Sequence, residues 1–340
     1  MALTITLMLA PIMTASVQAA EVTNESELKT ALESGETDIT ITGTVTISGG
    51  SLTINSGTAL IIQGSQSSFT INSGVTLTVK GTLKTDGYGT ITNRGAIENS
   101  GTIANEKGSL ANYGTIGNSG KIDGTFTNYG FAVINNNGGT IASGGITNSG
   151  TITNSGTIDN NGHTITNWNT ITNSGTITNN EGTIKNRHGG GSTTAKITNS
   201  GTIDNTGGGT IDNERYSTIA NSGTIDNNGG TITNYGTIDN VSGGKIANLD
   251  KGIFDSPGTY NDNTGGNSGS SASTPTPTNP PTQPADSSGT SNDTPTSASD
   301  SNTSNDGNQS GGFGKTLLIA AIAAILAIAA GCVLLLRKRK

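Results

Sequence analysis

The sequence predicts an all-β chain: a right-handed parallel β-helix with three short strands and about 19–20 residues per coil, entered through an N-terminal cap helix. Three observations carry this expectation. The triplet Gly-Thr-Ile occurs thirteen times, beginning at Gly89, Gly101 and Gly114 and ending at Gly236, with variants such as Lys121-Ile122, His163-Thr164-Ile165 and Asn169-Thr170-Ile171 between. Through residues 39–255 single apolar residues alternate with Thr, Ser and Gly, the period of a strand. Finally, 51 glycines beside 4% aromatic and 12% charged residues leave too little bulk for a conventional globular core.

Taken in order, residues 1–19 read as a secretory signal peptide: an apolar run, LTITLMLAPIMTASV, precedes the small residues Val17 and Ala19 that suit cleavage. Residues 20–38 form the entry. Thr23 or Asn24 can cap a helix over 24–34 whose first turn is acidic, whose Leu28, Ala31 and Leu32 share a face, and which Gly35 ends. Such a helix protects a solenoid's open end from edge pairing.

Residues 39–255 are the β-helix. In the hexad Thr-Ile-x-Asn-Ser-Gly the Ile points inward while Thr and x point outward, because successive strand residues face opposite sides. Asn and Gly are expected at the bend, where both accept left-handed backbone angles. Intervals of nineteen residues, as from Ile97 to Ile116 or Ile152 to Ile171, fit three hexads per coil. Some eleven coils would make a rod of roughly 50 Å at about 4.8 Å per coil. Each buried Ile contributes on the order of 1.5–3 kcal/mol before entropy, so coils hold only as a stack, and buried Asn columns should bond along it.

Residues 256–312 lose the apolar period. Their STPTPTNPPTQPADSS composition predicts a disordered stalk of low complexity. Residues 313–340 contain an uncharged run, Leu317 to Leu336, long enough to cross a bilayer, followed by Arg337-Lys338-Arg339-Lys340. The basic tail predicts a single-pass plasma-membrane protein, C-terminus cytoplasmic and N-terminus outside at the cell surface. The one cysteine, Cys332, lies in that run, so neither a disulfide framework nor a thiolate metal site is expected within the chain.

The hexads of residues 89–254 resemble the β-solenoid passengers of secreted bacterial adhesins, the autotransporter and filamentous-haemagglutinin type. The resemblance implies an adhesin-like display rod. Those families carry outer-membrane barrels or secretion domains, where this chain has a stalk and an apolar run; that difference implies a Gram-positive or archaeal cell. Gly312-Phe313 before the apolar run is similar to an archaeal C-terminal sorting signal, with Gly311 standing where that signal has Pro.

Four aromatics, Tyr113, Tyr129, Trp168 and Tyr235, follow Asn at bends where Ser is usual. Exposed rings there could stack on sugars, although their wide separation in sequence favours tolerated variants of the bend. The sequons at Asn24, Asn240, Asn292, Asn302 and Asn308 are candidate glycosylation sites. Asp123, Asp159, Asp204, Asp212, Asp226 and Asp239 occupy outward slots and read as solubilising charges; His163 and His188 lack flanking carboxylates. No enzyme activity, catalytic residue, metal or cofactor is expected. The net charge of -7 and the absence of an internal basic run argue against a nucleic-acid partner. The expected partners are the membrane, through residues 317–336, and an extracellular glycan, matrix or cell-surface ligand, with lateral association of rods as a further expectation. The competing function is a passive spacer or envelope coat; polysaccharide-active enzyme and ice-binding protein are remote ones, the latter suggested by the Thr-Ile-Thr segments.

Overall fold

A computed structural model describes residues 19–189 and 194–264. Residues 1–18 of the expected signal peptide, nearly all of the expected stalk (265–312), the apolar run 317–336 and the sequons Asn292, Asn302 and Asn308 lie outside them. Among the described residues no helix is long and apolar enough to cross a membrane.

The expected parallel β-solenoid is present. Every strand pairs in parallel with the strand one coil away, and like stacks on like: Ile97 on Ile116, Ile152 on Ile171, Asn154 on Asn173. Three faces result. Face 1 starts at the strand Ala20–Val22 and runs from Asp38–Ile41 to Lys245–Leu249; face 2 runs from Thr44–Ile47 to Ile253–Asp255; face 3 runs from Ser51–Ile54 to Thr259–Asp262. Face 3 is a separate eleven-stranded sheet, one strand per coil. Faces 1 and 2 join into one sheet because three strands, Thr102–Asn112, Lys121–Asn128 and Thr140–Asn148, turn their shared corner without breaking. Hexad logic alone predicts a bend there; the register shifts at Asn105/Leu110 and Gly124/Phe126 show a bulge absorbing it instead.

The entry helix spans Glu25–Glu33. Asn24 caps it, its side chain accepting from the Glu27 N–H at 3.0 Å, while the N–H of Thr23, one residue before the cap, donates to Glu27 Oε2 at 2.7 Å, an arrangement close to a capping box. Leu28 and Ala31 are buried against the first coil, and Gly35, at φ 81°, ends the helix. The strand Ala20–Val22 ahead of this helix was not legible as a strand; it is held by pairing with Ile39–Ile41.

Two expectations about the hexad are corrected. Its Asn is the last residue of the strand and points into the interior, and among the described residues no Asn has a positive φ. The glycine before Thr-Ile is also not needed for a left-handed angle. At Gly101 a β-carbon would lie 2.1 Å from the carbonyl oxygen of Gly81, and at Gly175 equally close to that of Gly156. The coils approach too tightly at this corner for any side chain. Positive-φ glycines occur instead in wider turns, such as Gly57, Gly74 and Gly243.

The solenoid also runs past 255, the expected boundary with the stalk. Thr259–Asp262 stacks on Thr237–Asn240, with Tyr260 in the inward slot that Ile238 fills one coil earlier. Phe254 and Tyr260 meet edge to face at 5.2 Å and cover the last isoleucines.

Candidate recognition corner

The three corners differ in composition, and backbone hydrogen bonds define each as a column. Between faces 3 and 1 the N–H groups of Ser100, Ser119, Ser155, Ser174, Ser200 and Ser222 each donate to the carbonyl of the preceding coil's strand end, so this corner is mostly serine. Between faces 1 and 2 lie Gly-rich turns and the three unbroken strands. Between faces 2 and 3 the same bonding aligns Arg94, Tyr113, Tyr129, Ser149, Trp168, Arg187, Glu214 and Tyr235, one per coil.

All four candidate aromatics therefore fall on one edge of the rod, despite their separation in sequence. Tyr113 and Tyr129 touch, their rings stacked at 4.4 Å and 4° from parallel, and the Arg94 guanidinium lies 5.5 Å from the Tyr113 ring centre. Burial, reinforced by Tyr129, raises the Tyr113 phenol above its usual range. Trp168 stands two coils from Tyr129, roughly 10 Å at about 4.8 Å per coil, with Ser149 between. The Arg187 guanidinium lies 4.9 Å from the Trp168 ring centre and ion-pairs with Glu214 at 2.8 Å. Tyr235 is three coils beyond Trp168 and touches neither it nor the tyrosine pair.

Several residues of this corner were not singled out from the sequence as ligand contacts. All three arginines of the described residues, Arg94, Arg187 and Arg215, are here. So are Phe131, fully exposed in the turn after Tyr129, and Tyr216, which lies 5.5 Å from the His188 ring. A usable signal existed: reading the residue after every third hexad's Asn collects Arg94, Tyr113, Tyr129, Trp168, Arg187 and Tyr235 in one column.

The outward aspartates do not converge on this corner. Asp123, Asp159, Asp204 and Asp226 lie on face 1, Asp212 on face 2 and Asp239 on face 3. Among the described residues no group of three or more His, Cys, Asp or Glu is placed to hold a metal. The Thr-Ile-Thr segments 151–153 and 170–172 superpose on face 3, but Lys196 interrupts the next coil, and Thr164-Ile165-Thr166 meets Lys185. Asn240 sits inside the coil, 3% exposed, its amide donating to Gly244 O and Asp262 Oδ1, so glycan transfer there would have to precede folding. The Asn24 amide is at the surface, with its oxygen engaged as the helix cap.

The class of protein that fold and corner define is a parallel β-solenoid with one aromatic and basic edge. No family model matches the chain, and no curated protein or solved structure matches it.

Proposed function

We propose that the chain is an adhesin-like rod displayed at the cell surface, engaging a glycan, matrix or cell-surface partner along the corner between faces 2 and 3. The observation that supports this is segregation: every described arginine and the exposed rings other than Tyr88, which stands between faces 1 and 2, gather on one edge, while the faces carry mainly Thr, Asp and Ala. Clustered exposed aromatic surface is costly to keep in water, and aromatic rings and arginine are the residue types that dominate recognition surfaces. In this reading the right-handed coil presents the corner, and the chain beyond residue 264 tethers it through a stalk and the apolar run 317–336. The uniform threonine of the faces suits the competing reading, a spacer without ligand.

The test is attachment of the full-length protein to glycan arrays, matrix proteins and whole cells. Saturable binding that falls at least tenfold on Trp168→Ala or Tyr235→Ala is the expected result. Binding that ignores every corner substitution, or no binding by folded protein, leaves the spacer.

A further inference from the structure

Tyr216 holds a backbone conformation that its side chain makes costly. It is the third residue of the turn Glu214–Ser217, closed by the Ser217 N–H donating to Glu214 O at 3.1 Å, and its φ is 65°. The same place in the turns Asn55–Thr58, Asn72–Val75 and Val241–Gly244 belongs to Gly57, Gly74 and Gly243, at φ 84°, 83° and 84°. A β-carbon is disfavoured there, and more so a bulky residue. The Tyr216 ring does not recover that cost by burial, since the residue is 75% exposed. Strain retained without a packing gain is a mark of function.

The ring borders an open cleft. Tyr235, 48% exposed, stands one coil further along the corner, and the cleft between the two is lined by Arg215, Thr237, Pro257 and Thr259 as well. Arg215 is exposed and has no ion-pair partner among the described residues, unlike Arg187.

We infer that this cleft is a subsite for an acidic sugar residue, one carboxylated pyranose of a polysaccharide lying along the corner. The inference rests on the corner being a recognition surface and adds the class of ligand. Aromatic rings take the C–H face of a pyranose, the guanidinium fork of Arg215 takes its carboxylate, and the threonine hydroxyls suit its hydroxyl groups. A neutral sugar would leave Arg215 unused. A single-stranded nucleic acid, with a phosphate on every nucleotide, requires denser positive charge than three arginines spread between residues 94 and 215, one of them paired with Glu214.

Calorimetric titration of the full-length protein tests this, with oligomers of galacturonate, hyaluronate and sialic acid, each beside its carboxyl-reduced neutral form, and oligothymidylate as a second polyanion. At least one acidic oligomer is expected to bind tenfold or more tightly than its neutral form. Arg215→Gln should erase that preference, and Tyr216→Gly should weaken binding at least tenfold while raising the unfolding midpoint. No acidic oligomer bound, equal affinity for acidic and neutral forms, or unchanged binding by both variants overturns the subsite. Oligothymidylate binding more tightly than every acidic sugar overturns the carbohydrate assignment. If glycan binding depends on Tyr113 and Trp168 but not on Arg215 or Tyr216, the subsite falls and the corner reading stands; if attachment ignores every corner substitution, both fall.

Discussion

The first two coils and those after them solve the same packing problem with different chemistry. Each strand offers two inward slots. In the first two coils both are apolar: Ile39 with Ile41, Val45 with Ile47, Leu52 with Ile54, then Leu60 with Ile62, Phe69 with Ile71, Leu77 with Val79. On faces 2 and 3 the second slot then changes, Asn93 stacking on Ile71 and Asn99 on Val79, and nearly every later coil keeps Ile in the first slot and Asn in the second. A buried amide without a partner costs about 1–3 kcal/mol, so the substitution is tolerable only in series.

The series is complete on two faces. On face 2 the side-chain amides run Asn93, Asn112, Asn128, Asn148, Asn167, Asn186, Asn213, Asn234, each donating to the next Oδ1 at 2.7–2.9 Å. Face 3 repeats this from Asn99 to Asn240. On face 1 Gly124 occupies the slot, and a ladder runs from Asn160 to Asn248. Most amides also donate to backbone carbonyls; Asn173 reaches Gly175 O at 3.2 Å and Thr202 O at 3.0 Å. Where the face 3 ladder begins there is a defect: Asn99 Oδ1, facing the coil of Val79, is buried without a hydrogen-bond partner among the described residues. The lesson is that an apolar coil is self-sufficient slot by slot, whereas an amide coil depends on its neighbours.

That dependence can be broken most sharply in mid-ladder. Asn173→Asp places a carboxylate against Asn199 Oδ1 and two carbonyls that its amide now serves; the expected loss is about 3–5 kcal/mol, read by urea unfolding. In the apolar coils, Ile47→Asn puts a lone amide beneath Ile71 with no ladder to join, and about 1–3 kcal/mol should be lost from polar burial, before the lost apolar contacts are counted. The contrast between Asn173→Val and Asn99→Val is sharper still. The first strips Asn199 Oδ1 of its donor and should cost about 1–3 kcal/mol. The second removes one orphaned acceptor while creating another at Asn118, moving the boundary by one coil, and should cost less than about 0.5 kcal/mol. Equal losses for the two valine variants would show that the ladder is not a linked series.

The smallest effect concerns the outward side of face 1, where stacking brings like charges rather than bonded amides together. Asp204 stacks on Asp226, and burial first, then that neighbour, raises the Asp204 carboxyl above its usual range. A carboxyl whose folded pKa is raised holds more protons folded than unfolded, so its contribution is most favourable below the ordinary Asp range and is lost as pH rises from there through the raised value. Asp204→Asn should flatten that segment of the stability-pH curve and stabilise the rod slightly at neutral pH; a curve identical to the parent protein's would show that the stacked pair is fully screened.

Sequence by itself determined the strand period, the inward isoleucines, coils of about nineteen residues and the helix at the entry, because side-chain alternation and capping are local and leave their mark on consecutive residues. It placed Asn and Gly at bends for their backbone freedom, since residue preference is all that a single hexad reveals. Only the stack decided otherwise: Asn173 and Gly175 are each set by the coil beneath, one by an amide partner and the other by a carbonyl that admits no β-carbon. Tertiary structure alone likewise gathered Tyr113, Tyr129, Trp168 and Tyr235 onto one corner. Residues that share an edge of this rod lie a whole coil apart in the chain, and the length of each coil, varied by turns such as those after Tyr129 and Glu214, becomes fixed only when the strands are paired.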